Sequence, residues 1–446
     1  MNFTSSCIIF AKPNLLEFKS FEPMKSIIFR IPLALLLIAT MLQGCVDRTV
    51  QIFEANVPVM QSWDDFRART ISMDTPQPLR VPGKIYVYDN LLLVNEVYKG
   101  VHFFDNSNPS APSPIGFLPV HGNMDMAVRN DVLYLDNYTD LVSFDISDPA
   151  NPRLLDRFNN AFQPINMHFI EGYNSGYPMA QFQATEGVIV GWEIKKTKDE
   201  IGGYYPSLFE IDVVMAGNST GTVSQSNSSG IAGSMARFAV YQNYLYTLES
   251  SELTTYNISD GITLGSTLAL NRNAETLFPA QGNLFIGTTT GMLIYSLNSP
   301  ENPSFVSAYD HISACDPVVV DGNRAFVTLR TGNNCFGQVN ALDVVDLTNL
   351  AQPQLLYTFP MTNPRGLGVA DSLLFLCDGP DGLKIFNRNV EGAIPSNMLS
   401  NFGGIVANDV IPHNQVLILT SEEGIFQYSF ADPQNVVQLS MIPVVN

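Results

Sequence analysis

MAVRNDVLYLDNYTDLVSFDISDPANPRLLDRF, residues Met126 to Phe158, is the stretch that decides the fold. Val128 leads into the polar turn Arg129-Asn130-Asp131, and VLYLD then alternates apolar and mixed residues in a β-branched and aromatic context that favours strand over helix. A second turn falls at Asn137 to Asp140, and LVSFDIS is a further strand. SDPANP carries the Asp, Pro and Asn chemistry of a tight turn, and RLLDRF closes the unit. Four antiparallel strands of this kind make one propeller blade, whose two apolar faces each need a neighbour.

The chain supplies the neighbours. The third-strand signature recurs as GVHFFD ending at Asp105, LVSFD at Asp145, VIVGW at Trp192, LTTYN at Asn257, MLIYS at Ser296, LDVVD at Asp346, LKIFN at Asn387 and IFQYS at Ser429. The interval is mostly about 40 residues, the period of four-stranded propeller repeats, and no helical period accompanies it. The expectation is an all-β chain, a β-propeller of eight four-stranded blades over 83–446; a seven-bladed ring with one repeat diverted is the alternative. The third repeat is the irregular one. INMHFIEG, PMAQFQAT and GVIVGWEI give three strands, SLFEIDVVM a candidate fourth, and the Gly/Ser/Asn tract from Gly217 to Ser234 reads as a tolerated excursion.

Upstream the pattern changes. Nothing is periodic in 1–23, which reads as a misassigned start. From Met24 a short basic start (Lys25, Arg30), an apolar run from Ile31 to Met41 and then Leu42-Gln43-Gly44-Cys45 resemble a bacterial lipoprotein signal over 24–44. Cys45 is then the lipid-bearing residue, tethering the chain to a membrane that it does not cross. Residues 45–82 form a lead-in: TVQIFEANVPVM is a candidate edge strand for a blade, and Ser62-Trp63-Asp64-Asp65-Phe66-Arg67 reads as a short capped helix docking on the propeller.

KIYVYDNLLLVNEVYKGVHFFDNSNPSAPSPIGFL (Lys84 to Leu118) and the unit from Asp125 to Phe158 resemble the LVIVD-repeat proteins, a family of β-propeller lipoproteins of bacterial envelopes. The likeness extends to NVPVMQSWDDFR (Asn56 to Arg67), GSMARF (Gly233 to Phe238) and YTFPMTNPRGLGV (Tyr357 to Val369), nearly the whole chain after Cys45. The resemblance implies the fold and an envelope location, on the outer membrane at its periplasmic or surface face, more than any activity. It also leads one to expect His where this chain has Arg365, so no role for that His is carried over.

The formal net charge of −19 argues against nucleic acid and against electrostatic adhesion to anionic lipid, and solubility alone accounts for it. Cys315 opens the sixth repeat and Cys335 lies in its insertion TGNNCFGQVN. Pairing about the turn at Asp321-Gly322-Asn323 puts Cys315 opposite about Arg330, within reach of that loop, so in an oxidising compartment the two read as a disulfide. Cys377 is left over as a buried strand cysteine.

No HExxH, GxSxG, Walker loop or CxxC occurs, and the five histidines have no metal-ligand spacing. A site assembled from several blades would sit where the loops entering each innermost strand and the loops between second and third strands emerge together. This entry face draws Asp125, His168, Arg237, Glu275, Asp316, Arg365 and Asp409 from the strand entries. The second-to-third-strand loops add Glu96, Tyr98, Asp136, Tyr138, Asp140, Glu249, Glu252, Asp378, Asp381, Glu422 and Glu423. Such carboxylates could hold Ca²⁺ through oxygen ligands or bind a basic partner or hydroxylated ligand. For any one of them, ordinary turn chemistry explains the residue as well. The two functional readings are a monomeric, non-enzymatic scaffold binding a protein or glycan, and a hydrolase or lyase with a metal in the central channel. The missing motifs and the resemblance favour the scaffold.

Overall fold

The computed structural model describes residues 50–163, 172–180, 182, 187–200, 231–311, 317–331, 339–389 and 391–445. Residues 54–195 and 205–446 form one compact unit, which holds the ring of blades. Residues 1–53 and 196–204 form another, of which the strand residues 50–53 and 196–200 are described.

Seven sheets follow one another along the chain, each built on four strands in sequence order as an antiparallel meander, with the short strand Ile231–Ala232 added to the first, so the ring has seven blades rather than eight. Blade I comprises Pro82–Tyr88, Leu91–Glu96, Gly100–Asp105 and Ser113–Leu118. Blade II spans 126–158, blade III 238–269, blade IV 274–310, blade V 318–360, blade VI 367–402 and blade VII 407–443. Two local devices repeat in every blade. The first hairpin turns on a residue with positive φ (Asp89, Asn130, Gln242, Gln281, Gly322, Asp371, Asn414), as a two-residue turn matched to strand twist requires. The residue ending each third strand accepts a hydrogen bond from the backbone N–H two positions on: Asp105 from Ser107, Asp145 from Ser147, Asn257 from Ser259, Ser296 from Asn298, Asp346 from Thr348, Asn387 from Asn389 and Ser429 from Ala431. That is why the signature ends in Asp, Asn or Ser.

The eighth signature, ending at Trp192, does not build a blade. It lies in Val188–Glu200, which pairs with Val50–Gln61 as a two-stranded sheet. Its apolar residues are satisfied without a blade of their own: Trp192 packs edge-on against Tyr173 at 5.6 Å and Phe182 at 5.9 Å, and Val188 joins Phe66 and blade II's Tyr138 in a small cluster. Blades II and III meet directly, sharing one core that includes Met126, Phe144, Phe238 and Tyr256. The same pairing corrects the expectation that TVQIFEANVPVM adds an edge to a blade. The short helix does form, over Trp63–Arg67, with Ser62 Oγ accepting from the Asp65 N–H at 3.1 Å. It docks on blade II, where Arg67 forks onto the buried Asp140 with two 2.9 Å bonds and Trp63 and Phe66 flank the Tyr138 ring.

The ring closes without sharing a strand between the chain ends. Leu79, Ile85, Val87, Leu92 and Phe104 pack against Ile411, Ile418 and Ile425 of blade VII. Asn106 and Gln427 exchange two amide hydrogen bonds of 3.0 and 2.7 Å, and Leu79 bridges Val444 in parallel. Ser440 Oγ donates to the Pro109 carbonyl at 2.6 Å, and the same outer-strand bond joins blades III and IV (Ser266 to Glu301, 2.5 Å), IV and V (Ser307 to Leu350, 2.5 Å) and VI and VII (Ser400 to Pro433, 2.8 Å). Cys377 is buried in the second strand of blade VI, where desolvation raises its thiol well above the ordinary range and keeps it a thiol. Cys45, Cys315 and Cys335 lie outside the described residues.

Candidate functional site

The axis of the ring is taken by the chain itself. After the excursion between blades II and III, residues 231–237 (IAGSMAR) touch six blades. Ile231 and Ala232 pair with Val87 and Tyr86 on the inner edge of blade I. Ser234 Oγ donates to Asp409 Oδ1 of blade VII at 3.2 Å and accepts from the Leu367 N–H of blade VI at 3.0 Å. The buried Lys84 amine donates to the Met235 carbonyl. The Ala236 carbonyl accepts from the Leu277 N–H of blade IV at 2.8 Å. The Arg237 N–H donates to Asp125 Oδ2 before blade II at 2.5 Å, and the Arg237 carbonyl accepts from Leu248 of blade III at 3.0 Å. One short segment can reach blades on opposite sides of a ring only at its axis. Ser234, Met235 and Ala236 are accordingly buried.

Two of the expected rim residues therefore have structural partners. Asp125 lies 3.5 Å from Lys84 Nζ and also accepts from Arg237; Asp409 receives Ser234 and sits against the α-carbon of Gly366, where a Cβ would come within 1.8 Å of Asp409 Oδ1. Desolvation lowers the Lys84 pKa and the Asp125 carboxylate opposes the fall, so the pair is held together in a dry setting.

Most of the second-to-third-strand carboxylates are likewise spent on the fold. Glu96 accepts the Arg80 and Val81 N–H groups and pairs with His102 at 3.0 Å; burial alone would raise its pKa, and these donors bring it below the ordinary value. Asp136 accepts from Asn123 Nδ2 and from the Met124 and Asp125 N–H groups at 2.8 to 2.9 Å. Desolvation, with repulsion from Asp125 as a smaller cause, pushes it up to about 7. Asp140 holds Arg67 and Arg157, Asp378 takes the Thr362 and Asn363 N–H groups and Lys384, and Asp381 takes Thr362 and Lys384. Glu249 accepts from the Gln163 N–H at 2.9 Å, and Glu423 from Ser421 at 2.7 Å. Tyr98 and Tyr138 are buried at positive-φ turn positions, and burial pushes each phenol up to about 12. Glu252 and Glu422 are exposed. Among the described residues, no three or more His, Cys, Asp or Glu side chains converge as metal ligands.

Beside the exposed Glu252 and Glu422, the face carries three arginines. Arg237 is exposed and Arg330 half-buried, and the side chain of neither makes a hydrogen bond or ion pair with any described residue. Arg365, also half-buried, donates Nη1 to Asn408 Oδ1 while its Nε is buried without a partner. Glu275 is half-buried at a bulge entering blade IV, within electrostatic reach of Arg330. His168 and Asp316 lie outside the described residues. Lys84, the 231–237 segment as an axis filler, and Arg330 were not singled out as site residues from the sequence. A lysine inside the apolar first strand KIYVY was the available sign for the first.

No family model and no curated protein matches the sequence. The fold has parallels among solved structures. A protein from Lactobacillus plantarum superposes with a TM-score of 0.52 at 10% identity, over 82% of this chain and 97% of that one. Sqt1 of Saccharomyces cerevisiae gives 0.47 at 11% identity over 83% and 99%, and BamB of Moraxella catarrhalis 0.43 at 7% identity over 84% and 97%. At these identities the likeness is one of fold, the β-propeller.

Proposed function

We propose that the chain is a lipid-anchored scaffold of a bacterial cell envelope, tethered through Cys45 and resembling the LVIVD-repeat lipoproteins, whose propeller presents its entry face to a protein or glycan partner. The observation that carries the scaffold half of this reading is the filled axis. A propeller enzyme needs polar groups left available in a recess. Here Asp125, Asp136, Asp140, Asp378 and Asp409 are buried against N–H groups, hydroxyls and cations that hold the fold. A rigid ring with committed carboxylates recognises a partner by its surface rather than transforming it in a channel.

Two experiments test the halves separately. Metabolic labelling with an alkyne fatty acid should mark the wild-type chain and not Cys45→Ser; equal labelling, or none in either, rejects the tether. A photo-crosslinking residue placed at exposed Glu252 or Glu422 on the entry face should trap a discrete partner in envelope preparations, while one at exposed Leu264 or Leu355 on outer strands should not. Adducts only from the outer strands would place recognition elsewhere.

A further inference from the structure

The lead-in helix covers one sector of the entry face. It sits on the second-to-third-strand turn of blade II, at Tyr138 and Asp140, and Arg67 Nη2 also donates to Asn160 Oδ1 at 2.9 Å. Three residues beyond Asn160, the Gln163 N–H donates to Glu249 Oε1 of blade III, whose register partner across the turn is the exposed Glu252. The hold of the helix is narrow. Trp63–Arg67 is five residues long, well below the length that keeps an isolated helix folded in water, and Phe66 is its one buried side chain. The rest is the fork of the partly exposed Arg67 on Asp140. Asp140 does not depend on that fork. Arg157 Nη1 at 2.9 Å and the Asn160 N–H at 3.0 Å bond the same carboxylate, so Arg67 can leave for water without stranding a buried charge. The docked state also has a cost: Gln61 Oε1, just before the cap, and Arg157 Nη2, on the arginine that shares Asp140, are buried with no hydrogen-bond partner among the described residues. Downstream, residues 68–70 are exposed, and the chain is pinned again where Asp74 exchanges backbone hydrogen bonds of 2.8 and 3.1 Å with Phe117 of blade I.

We propose that residues 62–70 are a strap that opens as a unit and gates the blade II sector of the entry face, uncovering a seat made of Tyr138, Asp140 and Asn160. The inference rests on the entry-face reading and adds both a regulation and a partner chemistry to it. The two arrangements are discrete, because Asp140 is paired in each: with Arg67, Arg157 and Asn160 when the strap is closed, and with Arg157 and Asn160 when it is open. What fills the seat in cis shows what suits it. Trp63 and Phe66 flank the Tyr138 ring, the Arg67 guanidinium lies 5.0 Å over the Trp63 ring, and its fork takes the carboxylate. The partner that competes for this seat is a peptide segment carrying an arginine beside an aromatic side chain, the pairing that satisfies a buried carboxylate and an aromatic face together.

The test is hydrogen–deuterium exchange of the purified full chain in mild detergent, read at the Phe66 and Ala68 amides, whose bonds to the Ser62 and Asp64 carbonyls form only while the helix is folded. In the wild type these amides should exchange at least tenfold faster than those of Val132–Asn137 in blade II, and in Arg67→Gln at least tenfold faster again, with the blade unchanged. Arg67→Lys, which keeps the charge without the fork, should fall between the two. Wild-type protection equal to that of the blade, or a blade that loosens along with the helix in Arg67→Gln, overturns the strap. A fluorescent peptide of residues 61–70 tests the seat: it should bind Arg67→Gln saturably and the wild type at least tenfold more weakly. Equal binding to both chains, or none to Arg67→Gln, overturns the seat. Arg67→Gln should also raise the yield from a photo-crosslinking residue at Glu252 at least threefold, and an unchanged yield overturns the gating. Absence of crosslinks from either chain rejects the entry-face reading instead, while the exchange and peptide results still decide whether the strap and its seat exist.

Discussion

The wall of the ring and its axis are built on opposite plans. In the wall, each blade repeats one hairpin turn, one capped third strand and, in most junctions, one outer-strand bond to the next blade. At the axis nothing repeats: a single segment makes different bonds to blades I, II, III, IV, VI and VII. The wall spreads its stability over many equivalent local contacts, so losing one should cost little. The axis concentrates buried polar groups in one place, where each depends on the others.

That contrast is broken most severely at Lys84. Lys84→Met should cost about 3–5 kcal/mol, because it strands the buried Asp125 carboxylate. Adding Asp125→Asn, whose amide oxygen can still accept the Arg237 N–H, should recover much of the loss. Urea unfolding of the two single variants and the double would show this, and additive losses would mean that the pair is not coupled.

Asp136, at the junction of blades I and II, sharpens the contrast through pH. Its folded pKa of about 7 exceeds the unfolded carboxylate value, so the protonated form favours the fold. Its contribution is complete below about pH 4 and is lost as pH rises toward 7, by up to about 4 kcal/mol. Glu96 and Asp140, whose pKa values are lowered, act in the other direction and lose their contribution as pH falls. The difference in stability between wild type and Asp136→Asn isolates the first effect. It should move in favour of the variant between pH 4 and pH 7; a flat difference would mean that Asp136 is ionised throughout.

Gly366 comes next. A methyl group there meets Asp409 Oδ1 at 1.8 Å and Asp409 Cα at 2.9 Å, so the second contact involves backbone that cannot simply swing away. Gly366→Ala should cost about 1–3 kcal/mol, the usual range for overpacking. The loss should shrink when Asp409→Ala is added, since that removes the carboxylate in the way.

The wall was legible in the sequence because it is local. Turn residues, alternation and the interval of the third strand all read out within one unit, and the lead-in helix announced itself through Ser62 and Asp65. The blade number was legible too, in the residue that ends each signature. Seven signatures end in Asp, Asn or Ser, the residues that cap the third strand, while the eighth ends in Trp192, which instead packs against Tyr173 and Phe182. The axis was not legible, since its bonds join residues far apart in the chain, such as Ser234 with Asp409 and Met235 with Lys84. In the sequence the acids of the entry loops read equally well as turn residues and as ligands. Their burial against backbone N–H groups is what decides for the turn in Glu96, Asp136 and Asp378.

The smallest effect tests whether the junction where the ring closes belongs to the wall. In many rings the last blade must borrow a strand from the other end of the chain; here blade VII is complete in itself and meets blade I through side chains, the Leu79–Val444 bridge and Ser440. If closure is an ordinary junction, Ser440→Ala should cost about 0.5–1.5 kcal/mol, as one hydrogen bond does, and no more than Ser307→Ala between blades IV and V. Both should leave the dependence of unfolding on urea concentration unchanged, because the same surface is exposed. A much larger loss at Ser440, or a shallower urea dependence there alone, would mean that the ring opens first at blades VII and I. The closing junction would then share the concentrated plan of the axis.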